Sequence, residues 1–460
     1  DRESGGSRVC FGIRLQPFPR NREWMKMSFK RKDIEIMAPV GSYESLRAAI
    51  DAGADSVYFG VGQLNMRSRS AANFTLDDLA RIVSIARRHN VKTYLAVNTL
   101  LYDADLPAMR QTMDRARTEG VSAVIVSDQA GILYARSIGL EVHISTQLNL
   151  SNLESVAFYA QFADVMVLAR ELTIPQVRAI YDGIRERNIC GPGGEPVRIE
   201  MFAHGALCMA ISGKCYLSLH DTGCSANRGA CRQLCRRSYE VRDRDSGTEL
   251  VIDNHYIMSP KDLCTIDFLD KFLGAGVRVL KIEGRARSAE YVKRVVESYD
   301  EALCMIEAGS YTPERARALK ERLATVFNRG FWGGYYMGAR IDEWSAVYGS
   351  AATKRKVYVG KVTNYFKRIG VAEIQVEAAP LRVGDETFLV GETTGVLEFP
   401  TGEIRVDEQN VQQAPQGVFC SVKVPAPIHR INCISSWMRK GTDKRDKTTG
   451  KSNEYRKLIA

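Results

Sequence analysis

Between residues 34 and 282 the sequence alternates between short apolar runs and longer amphipathic stretches. The apolar runs have the length and composition of buried β-strands, and the stretches between them have helical spacing. The runs cover residues 34–40, 56–61, 93–98, 123–127, 142–146, 165–169, 197–203 and 277–282. Eight strand–helix units predict an α/β fold of the (β/α)8 TIM-barrel type. A doubly wound open sheet is the alternative, because the number of units alone does not establish closure.

The rest of the chain divides around this barrel. We assign residues 34–310 to the barrel and residues 204–265 to a cysteine-rich insertion after the seventh strand. Residues 311–353 form a helical and aromatic-rich connector, and the glycine-punctuated short strands of 354–427 predict a small antiparallel β-barrel domain. Residues 1–33 lack any periodicity, which predicts a disordered or non-native extension, and residues 428–460 are predicted to form a basic tail.

The net charge of +10 arises at the two ends of the chain. Residues 1–33 carry nine Lys or Arg against four Asp or Glu, and residues 438–460 carry eight against three. The folded body is therefore not basic as a whole, and RNA contact by the tail is an open expectation on electrostatic grounds. We find no apolar segment of membrane-spanning length and no signal-peptide pattern, so we expect a cytoplasmic protein that does not bind membranes.

Five of the eleven cysteines lie within 28 positions, at Cys208, Cys215, Cys224, Cys231 and Cys235. A disulfide-linked loop fits poorly, because the chain is long and its cysteine total is odd. Structural zinc usually takes paired short spacings, whereas the gaps here are six, eight, six and three residues. Iron–sulfur clusters accept more varied loops and favour positive surroundings. The spacing leaves an iron–sulfur cluster, zinc and uninvolved thiols open.

Polar residues follow the predicted strands, and in a barrel such residues converge on one mouth. They are Asn65, Arg67, Asn98, Asp128, Gln147, Asn149, Arg170, Glu171, His204, Glu283 and Arg285. This mixture suits a small anion held by an arginine, since guanidinium groups match carboxylates. The alternative is that the charged residues pair with one another across the rim. No serine-protease, cysteine-protease or H-E-x-x-H pattern is present, so no nucleophile system for peptide hydrolysis is visible.

Three stretches carry a family resemblance. They are Ala38-Pro-Val-Gly41 with Ala52-Gly-Ala-Asp-Ser-Val-Tyr58, Glu200-Met-Phe-Ala-His-Gly-Ala-Leu-Cys208 with Ser212-Gly-Lys-Cys-Tyr-Leu-Ser218, and Leu280-Lys-Ile-Glu-Gly-Arg285. Together they resemble the collagenase-like protease family, peptidase family U32, over roughly residues 34–310. Within it, the cysteine spacing around Cys231 is most similar to the branch that hydroxylates tRNA at wobble uridine. Other members hydroxylate ribosomal RNA or ubiquinone.

The resemblance implies a cofactor and its ligands. In these relatives four cysteines hold an iron–sulfur cluster, generally [4Fe-4S], which implies Cys208, Cys215, Cys231 and, as the fourth, Cys235. Two further cysteines compete for the fourth position. They are Cys224 and Cys264, the latter at a predicted helix start. The resemblance also implies prephenate, a small carboxylate, as co-substrate.

Our leading hypothesis is an iron–sulfur RNA-modifying enzyme that hydroxylates tRNA wobble uridine with prephenate. We assign catalytic roles to five residues, namely His204, Glu283, Arg285, Arg170 and Glu171. We assign substrate binding to eight others, namely Asn65, Arg67, Asn98, Asp128, Gln147, Lys281, Arg232 and Arg236. The alternatives are ribosomal-RNA cytidine hydroxylation, a collagenase-like peptidase, and a non-enzymatic RNA-binding or assembly factor.

Overall fold

The structure is a computed structural model that describes residues 29–69, 74–237, 239, 258–338, 344–345, 347, 349–428 and 432–440. The predicted N-terminal extension up to residue 28 and the tail from residue 441 lie outside this part. Residues 29–33, which we expected to be disordered, are ordered instead. Arg31 explains the difference, because its guanidinium forms ion pairs with Asp300, at 2.6 Å, and Asp55, at 3.0 Å.

Eight parallel strands form a closed barrel, as the alternating sequence predicts. The barrel strands are β1 (Glu35–Pro39), β2 (Ser56–Phe59), β3 (Lys92–Val97), β4 (Ala123–Val126), β5 (Glu141–Ile144), β6 (Val165–Val167), β7 (Arg198–Gly205) and β9 (Val277–Ile282). Each strand pairs with its neighbour in sequence, β9 pairs with β1, and a parallel β7–β9 pairing closes the ring. Closure excludes the doubly wound open sheet.

Helices cover the outside of the barrel. They are α1 (Tyr43–Asp51), α2 (Asp78–Arg88), α3 (Leu106–Glu119), α4 (Gln129–Ser137), α5 (Leu153–Ala160), α6 (Ile174–Glu186), α8 (Leu269–Gly274), α9 (Ala289–Glu307) and α10 (Pro313–Leu323). Local sequence fixes several starts. The side chains of Ser42 and Asn152 accept hydrogen bonds from backbone N–H groups three residues later, and Asp128 accepts one from Ala130.

The core has two parts. The larger part lies between the strands and the helices and is made of aliphatic side chains from both, as amphipathic helices require. The smaller part fills the barrel interior and includes Tyr58 and Tyr94. The interior also buries charge, since Glu35 accepts hydrogen bonds from the Tyr94 hydroxyl at 2.7 Å and from Arg198 at 3.0 Å. The barrel is therefore a packed, partly polar core rather than a channel.

The cysteine-rich insertion leaves from β7 and returns through a short strand, β8 (Asp262–Cys264), which pairs antiparallel with the end of β7. We predicted a helix start around Cys264, and this prediction is wrong because the segment pairs with β7 as a strand. The described part of the insertion contains a short helix, α7 (Leu217–Thr222). The connector contributes β10 (Phe331–Trp332), which pairs with β8.

An antiparallel sheet follows the connector. Its strands are β11 (Lys354–Phe366), β12 (Val371–Val376), β14 (Glu386–Gly391), β15 (Gly395–Pro400), β16 (Ile404–Val406), β17 (Gln409–Val411), β19 (Phe419–Lys423) and β20 (Cys433–Arg439), and a separate pair is formed by β13 (Leu381–Arg382) and β18 (Gln413–Ala414). In the described residues, no pairing joins the end strands β15 and β17, so the hydrogen bonding is that of a sheet. The predicted tail began too early, because β20 lies between β11 and β14.

The sheet packs on α1 and α9 of the barrel. Phe388 and Val396 contact the small residues Ala48 and Ala289, and the ring of Phe388 stacks on Trp437 with centroids 4.7 Å apart. Two hydrogen bonds from Arg294 to Glu398, at 2.7 and 2.8 Å, add a polar link. Among the described helices, none combines the length and apolar character needed to cross a membrane.

Candidate active site

A cavity of about 490 Å³ lies at the carboxyl ends of the barrel strands, beneath the cysteine-rich insertion. Its floor and walls come from the barrel and include Tyr58, Phe202 and Lys281, and its cover comes from residues 206–218 and 226–236. Barrel active sites form at this end because the strand-to-helix loops meet there. We refer to this space as the mouth cavity.

Four cysteines of the insertion line the mouth cavity, namely Cys208, Cys215, Cys231 and Cys235. Burial raises the pKa of the Cys235 thiol to about 11, against the lowering effect of neighbouring Arg236, and the other three thiols raise it further. Burial likewise raises the pKa of Cys215, with contributions from Cys208 and Cys231. The four sulfur atoms are therefore close enough to influence one another electrostatically.

The two competing cysteines lie elsewhere. Cys224 lines a separate cavity of about 320 Å³, where its sulfur accepts a hydrogen bond from Arg69 at 3.8 Å. Cys264 is fully buried on β8, and burial raises its pKa to about 12. Neither residue lines the mouth cavity. The structure therefore groups the same four thiols that the resemblance implies.

Two glycines allow the insertion to lie close to the barrel. Gly205, at the end of β7, has φ +108°, and a Cβ atom there would lie 2.3 Å from the carbonyl oxygen of Glu283. Gly229 has φ +83°, and a Cβ atom would lie 2.5 Å from the carbonyl oxygen of Asn65. Only glycine combines a positive φ with so close a backbone approach. Backbone bonds from Arg69 N to Gly229 O and from Leu100 N to Asn227 O complete the attachment.

Arg236 fixes the other side of the insertion. Its guanidinium donates to the carbonyl oxygens of Leu207, at 2.5 Å, and Pro260, at 2.6 Å, and to the Ser259 hydroxyl at 3.0 Å. Burial lowers its pKa. We predicted Arg236 as a substrate-binding residue. It does line the mouth cavity, but its donors bind the loop that carries Cys208 and the segment that returns to β8.

Glu283 and Arg67 form a half-buried ion pair in the cavity wall. Arg67 donates to one carboxylate oxygen at 2.7 and 3.2 Å, and the Tyr58 hydroxyl donates to the other at 3.2 Å. Burial alone would raise the pKa of Glu283, but Arg67 and then Arg285 outweigh it and lower the pKa to about 2. Glu283 is thus a carboxylate at neutral pH and holds Arg67 in place.

Two other arginines in the wall carry fewer bonds. Arg285 donates to the amide oxygen of Asn65 at 3.0 Å, and its buried Nε has no hydrogen-bond partner among the described atoms. Arg170 donates to the Ser212 hydroxyl at 2.7 Å and lies over the Phe202 ring, 5.4 Å from its centroid. Neither guanidinium has a carboxylate partner in the described residues. A buried donor without a partner is costly, so this wall is complementary to an anion.

Amides and hydroxyls line the adjoining wall. The Asn98 amide donates to the Ser145 hydroxyl at 3.1 Å and to the Gln147 oxygen at 3.2 Å, and Ser145 also bonds to Gln147. At the floor, Lys281 donates to the buried carboxylate of Glu200 at 2.5 Å. The cavity therefore offers cations on one side and neutral hydrogen-bonding groups on the other.

Five predicted site residues do not line the mouth cavity. Asn65 lies behind the wall and holds Arg285, and Asp128 caps α4. Glu171 and Arg232 are exposed. His204 is buried and faces the rings of Tyr291, Tyr299 and Phe331.

The placement of His204 has a local cause. The β7–β9 register shifts between Phe202 and His204, so the extra residue turns the His204 side chain away from the cavity that Phe202 lines. Burial, and then the charge of Arg287, lower the pKa of the His204 imidazole to about 3. The ring is therefore neutral at physiological pH.

Sequence reasoning did not select several residues of the site. Ser212 and Tyr58 lie within the quoted motifs, which was the available signal. Arg287 and Arg329 also line the cavity. They are held there by packing on Phe327, at 3.6 and 5.2 Å from the ring centroid, a contact from the connector that no local pattern predicts.

Among the described residues, the thiols are the one metal-ligand type that is grouped at the cavity, and no histidine of this part lines it. Within the described residues, no three His, Cys, Asp or Glu side chains are arranged closely enough to hold a metal ion. Four thiols nevertheless line the cavity together with Arg236 and Arg329.

Comparison with known proteins identifies the family of the chain. A protein named "Collagenase" from Porphyromonas gingivalis is 59% identical over 396 residues, which cover 86% of this chain and 96% of that protein. "tRNA hydroxylation protein P1" from Bacillus subtilis is 32% identical, with coverage of 78% and 84%. "23S rRNA 5-hydroxycytidine C2501 synthase" from Escherichia coli is 38% identical, with coverage of 60% and 40%. Residues 41–346 match the sequence profile of Peptidase family U32, and the chain belongs to this family.

Proposed function

We propose that this protein is an iron–sulfur enzyme that hydroxylates a pyrimidine in RNA, with the wobble uridine of tRNA as the substrate. One observation carries the proposal, namely that four thiols and a cation-lined wall share one cavity at the barrel mouth. Relatives named for tRNA hydroxylation and for 5-hydroxycytidine synthesis in ribosomal RNA belong to the same family.

Cys208, Cys215, Cys231 and Cys235 would hold the cluster. An all-thiol set with adjoining arginines fits iron–sulfur chemistry better than zinc, whose structural sites use shorter paired spacings. A four-iron cluster is also wider than a single ion, so its ligands stand farther apart than those of one metal ion. When bound, the cluster would supply redox chemistry beside the cavity.

The walls of the cavity would position the two substrates. Gln147, whose amide oxygen is held by Asn98 and Ser145, presents an amide nitrogen that can hydrogen-bond a pyrimidine edge. Arg170 and Arg285 face the cavity without carboxylate partners in the described residues, so they suit a small carboxylate such as prephenate. Glu283 keeps Arg67 oriented and remains ionised, so its role is to position groups rather than to transfer a proton.

A collagenase-like peptidase is the second candidate, favoured by the name of the 59% identical relative. The cavity offers little for peptide hydrolysis. In the part of the chain that the structure describes, no histidine lines it to activate a serine or a thiol, and His204 faces aromatic rings instead. An RNA hydroxylase, in contrast, would use the thiols, the arginines and the amides together.

Nucleoside analysis of a deletion strain tests the proposal. We expect a hydroxylated pyrimidine to disappear from RNA and to return with the wild-type gene or with Cys304→Ala, an exposed cysteine outside the site. It should not return with Cys231→Ala. Fractionating tRNA from ribosomal RNA identifies the substrate. Unchanged nucleosides, with gelatin cleavage that survives repurification, would establish the peptidase instead.

A further inference from the structure

Large apolar side chains are unusually exposed around the mouth cavity. Five of them lie within residues 209–219 of the insertion, and two more lie on the adjoining loop after β3. They are Met209, Ile211, Tyr216, Leu217, Leu219, Leu100 and Tyr102. We call these seven residues the rim patch. A contiguous exposed apolar patch beside a cavity marks a binding surface.

The rim patch connects the mouth cavity with the smaller cavity that contains Cys224. Tyr216 and Leu217 line the mouth cavity, whereas Leu219 and Tyr102 line the smaller one. Helix α7 is the wall between them, since it carries both Leu217 and Leu219. A chain of linked groups could therefore occupy both cavities while it crosses α7.

Two aromatic rings stand out from this surface. Tyr216 is 71% exposed and Tyr102 is 56% exposed. The guanidinium of Arg228 lies 4.0 Å from the centroid of the Tyr102 ring and is itself fixed by Asp105 at 2.6 Å. One face of Tyr102 is thus covered by a held cation, which leaves the ring oriented for stacking on its other face.

The charge around the rim patch is positive. Residues 207–237 contain five Lys or Arg and a single Asp. Three of the five, Lys214, Arg232 and Arg237, are exposed, and no ion pair is recorded for them among the described residues. A protein interface is depleted of lysine at its centre, whereas a single-stranded nucleic acid requires stacking rings together with cations for its phosphates.

We propose that the rim patch binds unpaired nucleotides on either side of the base that enters the mouth cavity, with Tyr216 and Tyr102 as stacking platforms. The inference rests on the proposed function and adds to it a surface outside the mouth cavity that holds the nucleotides flanking the reacting base. A duplex would bury its base faces within its own stack and leave the two rings without partners.

RNA binding by single-residue variants tests this. The probes are a labelled hairpin with a uridine-containing loop and a fully paired duplex of equal length. We expect Tyr216→Ala and Tyr102→Ala each to weaken hairpin binding about tenfold, in line with stacking on one base. Tyr216→Phe should bind as the wild type does. Duplex binding should change little in all three variants.

Phe158→Ala is the matched control, because Phe158 is an equally exposed aromatic residue on α5. Tyr102 contacts no proposed cluster ligand, so its variant also separates stacking from any change in iron content. Unchanged hairpin affinity in both alanine variants would overturn the rim patch as an RNA surface, even where the deletion strain lacks the modified nucleoside. Conversely, the alanine variants could bind the hairpin more weakly while the deletion strain keeps its RNA nucleosides unchanged. That outcome would support the rim patch as an RNA surface and contradict the hydroxylase.

Discussion

The barrel wall and the cysteine-rich insertion enclose the same cavity, but they differ in where their charged side chains lie. In the wall, Arg67 pairs with Glu283 and Lys281 pairs with the buried Glu200, whereas Arg170 and Arg285 have no carboxylate partner in the described residues. In the insertion, Lys214 and Arg232 are exposed, and no carboxylate partner is recorded for either in the described part of the chain. Pairing fixes Arg67 and Lys281 in one geometry, whereas the unpaired arginines of the wall line the cavity and the unpaired cations of the insertion are exposed to solvent. Under the proposed function, the wall would hold a small anion inside the cavity and the insertion would contact RNA phosphates outside it.

The largest effect should separate thiols inside the cavity from thiols outside it. We expect Cys231→Ala or Cys235→Ala to abolish bound iron and visible absorbance in anaerobically purified protein, because a methyl group cannot replace a thiolate ligand. Cys224→Ala and Cys264→Ala should retain both, since neither residue lines the cavity. Iron analysis of the four variants and the wild type distinguishes these outcomes. Loss of iron in Cys264→Ala alone would move the fourth ligand, and a colourless wild type with one zinc would reject the cluster.

The next effect concerns the paired charges of the wall. Lys281→Met leaves the carboxylate of Glu200 buried without its partner, so we expect the free energy of unfolding to fall by about 3 kcal/mol. Lys214→Met, on the exposed insertion, should change it by less than about 0.5 kcal/mol. Urea unfolding of both variants measures the difference. Equal losses in the free energy of unfolding for the two variants would contradict the difference between the paired Lys281 of the wall and the exposed Lys214 of the insertion.

The pH dependence of stability should show that His204 has a structural role. Its folded-state pKa of about 3 lies below the ordinary value of 6.5, so the unfolded chain binds a proton more readily. Stability from this group is complete above pH 6.5 and is lost as the pH falls towards 3. Between pH 6.5 and 5 the loss amounts to about 1.5 kcal/mol. His204→Phe should remove that part of the pH dependence. An unchanged pH profile in the variant would contradict the buried, neutral imidazole.

The smallest effect tests the exposed cations of the insertion. Arg232→Ala should weaken RNA binding by a few-fold and reduce the slope of log Kd against log salt concentration by about one, as expected for one lost phosphate contact. Arg88→Ala on the barrel exterior is the matched control. Binding titrations at several salt concentrations give both slopes. Identical slopes for the two variants would show that Arg232 makes no contact with an RNA phosphate.

Much of the fold could be predicted from the sequence, because buried parallel strands and amphipathic helices leave separate periodic patterns. The positions of Arg67, Gln147 and Glu283 followed from the same pattern, since strand ends converge in a barrel. The strand β20 was not predicted. Its residues adjoin a run of charged residues, and its central place in the sheet depends on pairing with distant β11 and β14.

The remaining details of the site depend on geometry that composition does not specify. A one-residue register shift in β7 turns His204 away from the cavity, although its position after a strand suggested the rim. Arg329 reaches the cavity from the connector because it packs near Phe327, a contact that is remote from the strand pattern. The ion pair between Arg67 and Glu283 joins residues 216 positions apart in sequence.

The way in which the insertion is attached bears on how such an enzyme can diversify. Glycine contacts, backbone hydrogen bonds and the inward-facing Arg236 hold the insertion to the barrel, and none of these attachments uses an outward-facing side chain of the rim patch. Mutations at Leu219 or Tyr102, which do not line the mouth cavity, should therefore leave the thiols in place. Under the proposed function, homologues would exchange one RNA for another by changing only this outer layer, so a transplanted rim should transfer substrate choice without changing the residues inside the cavity.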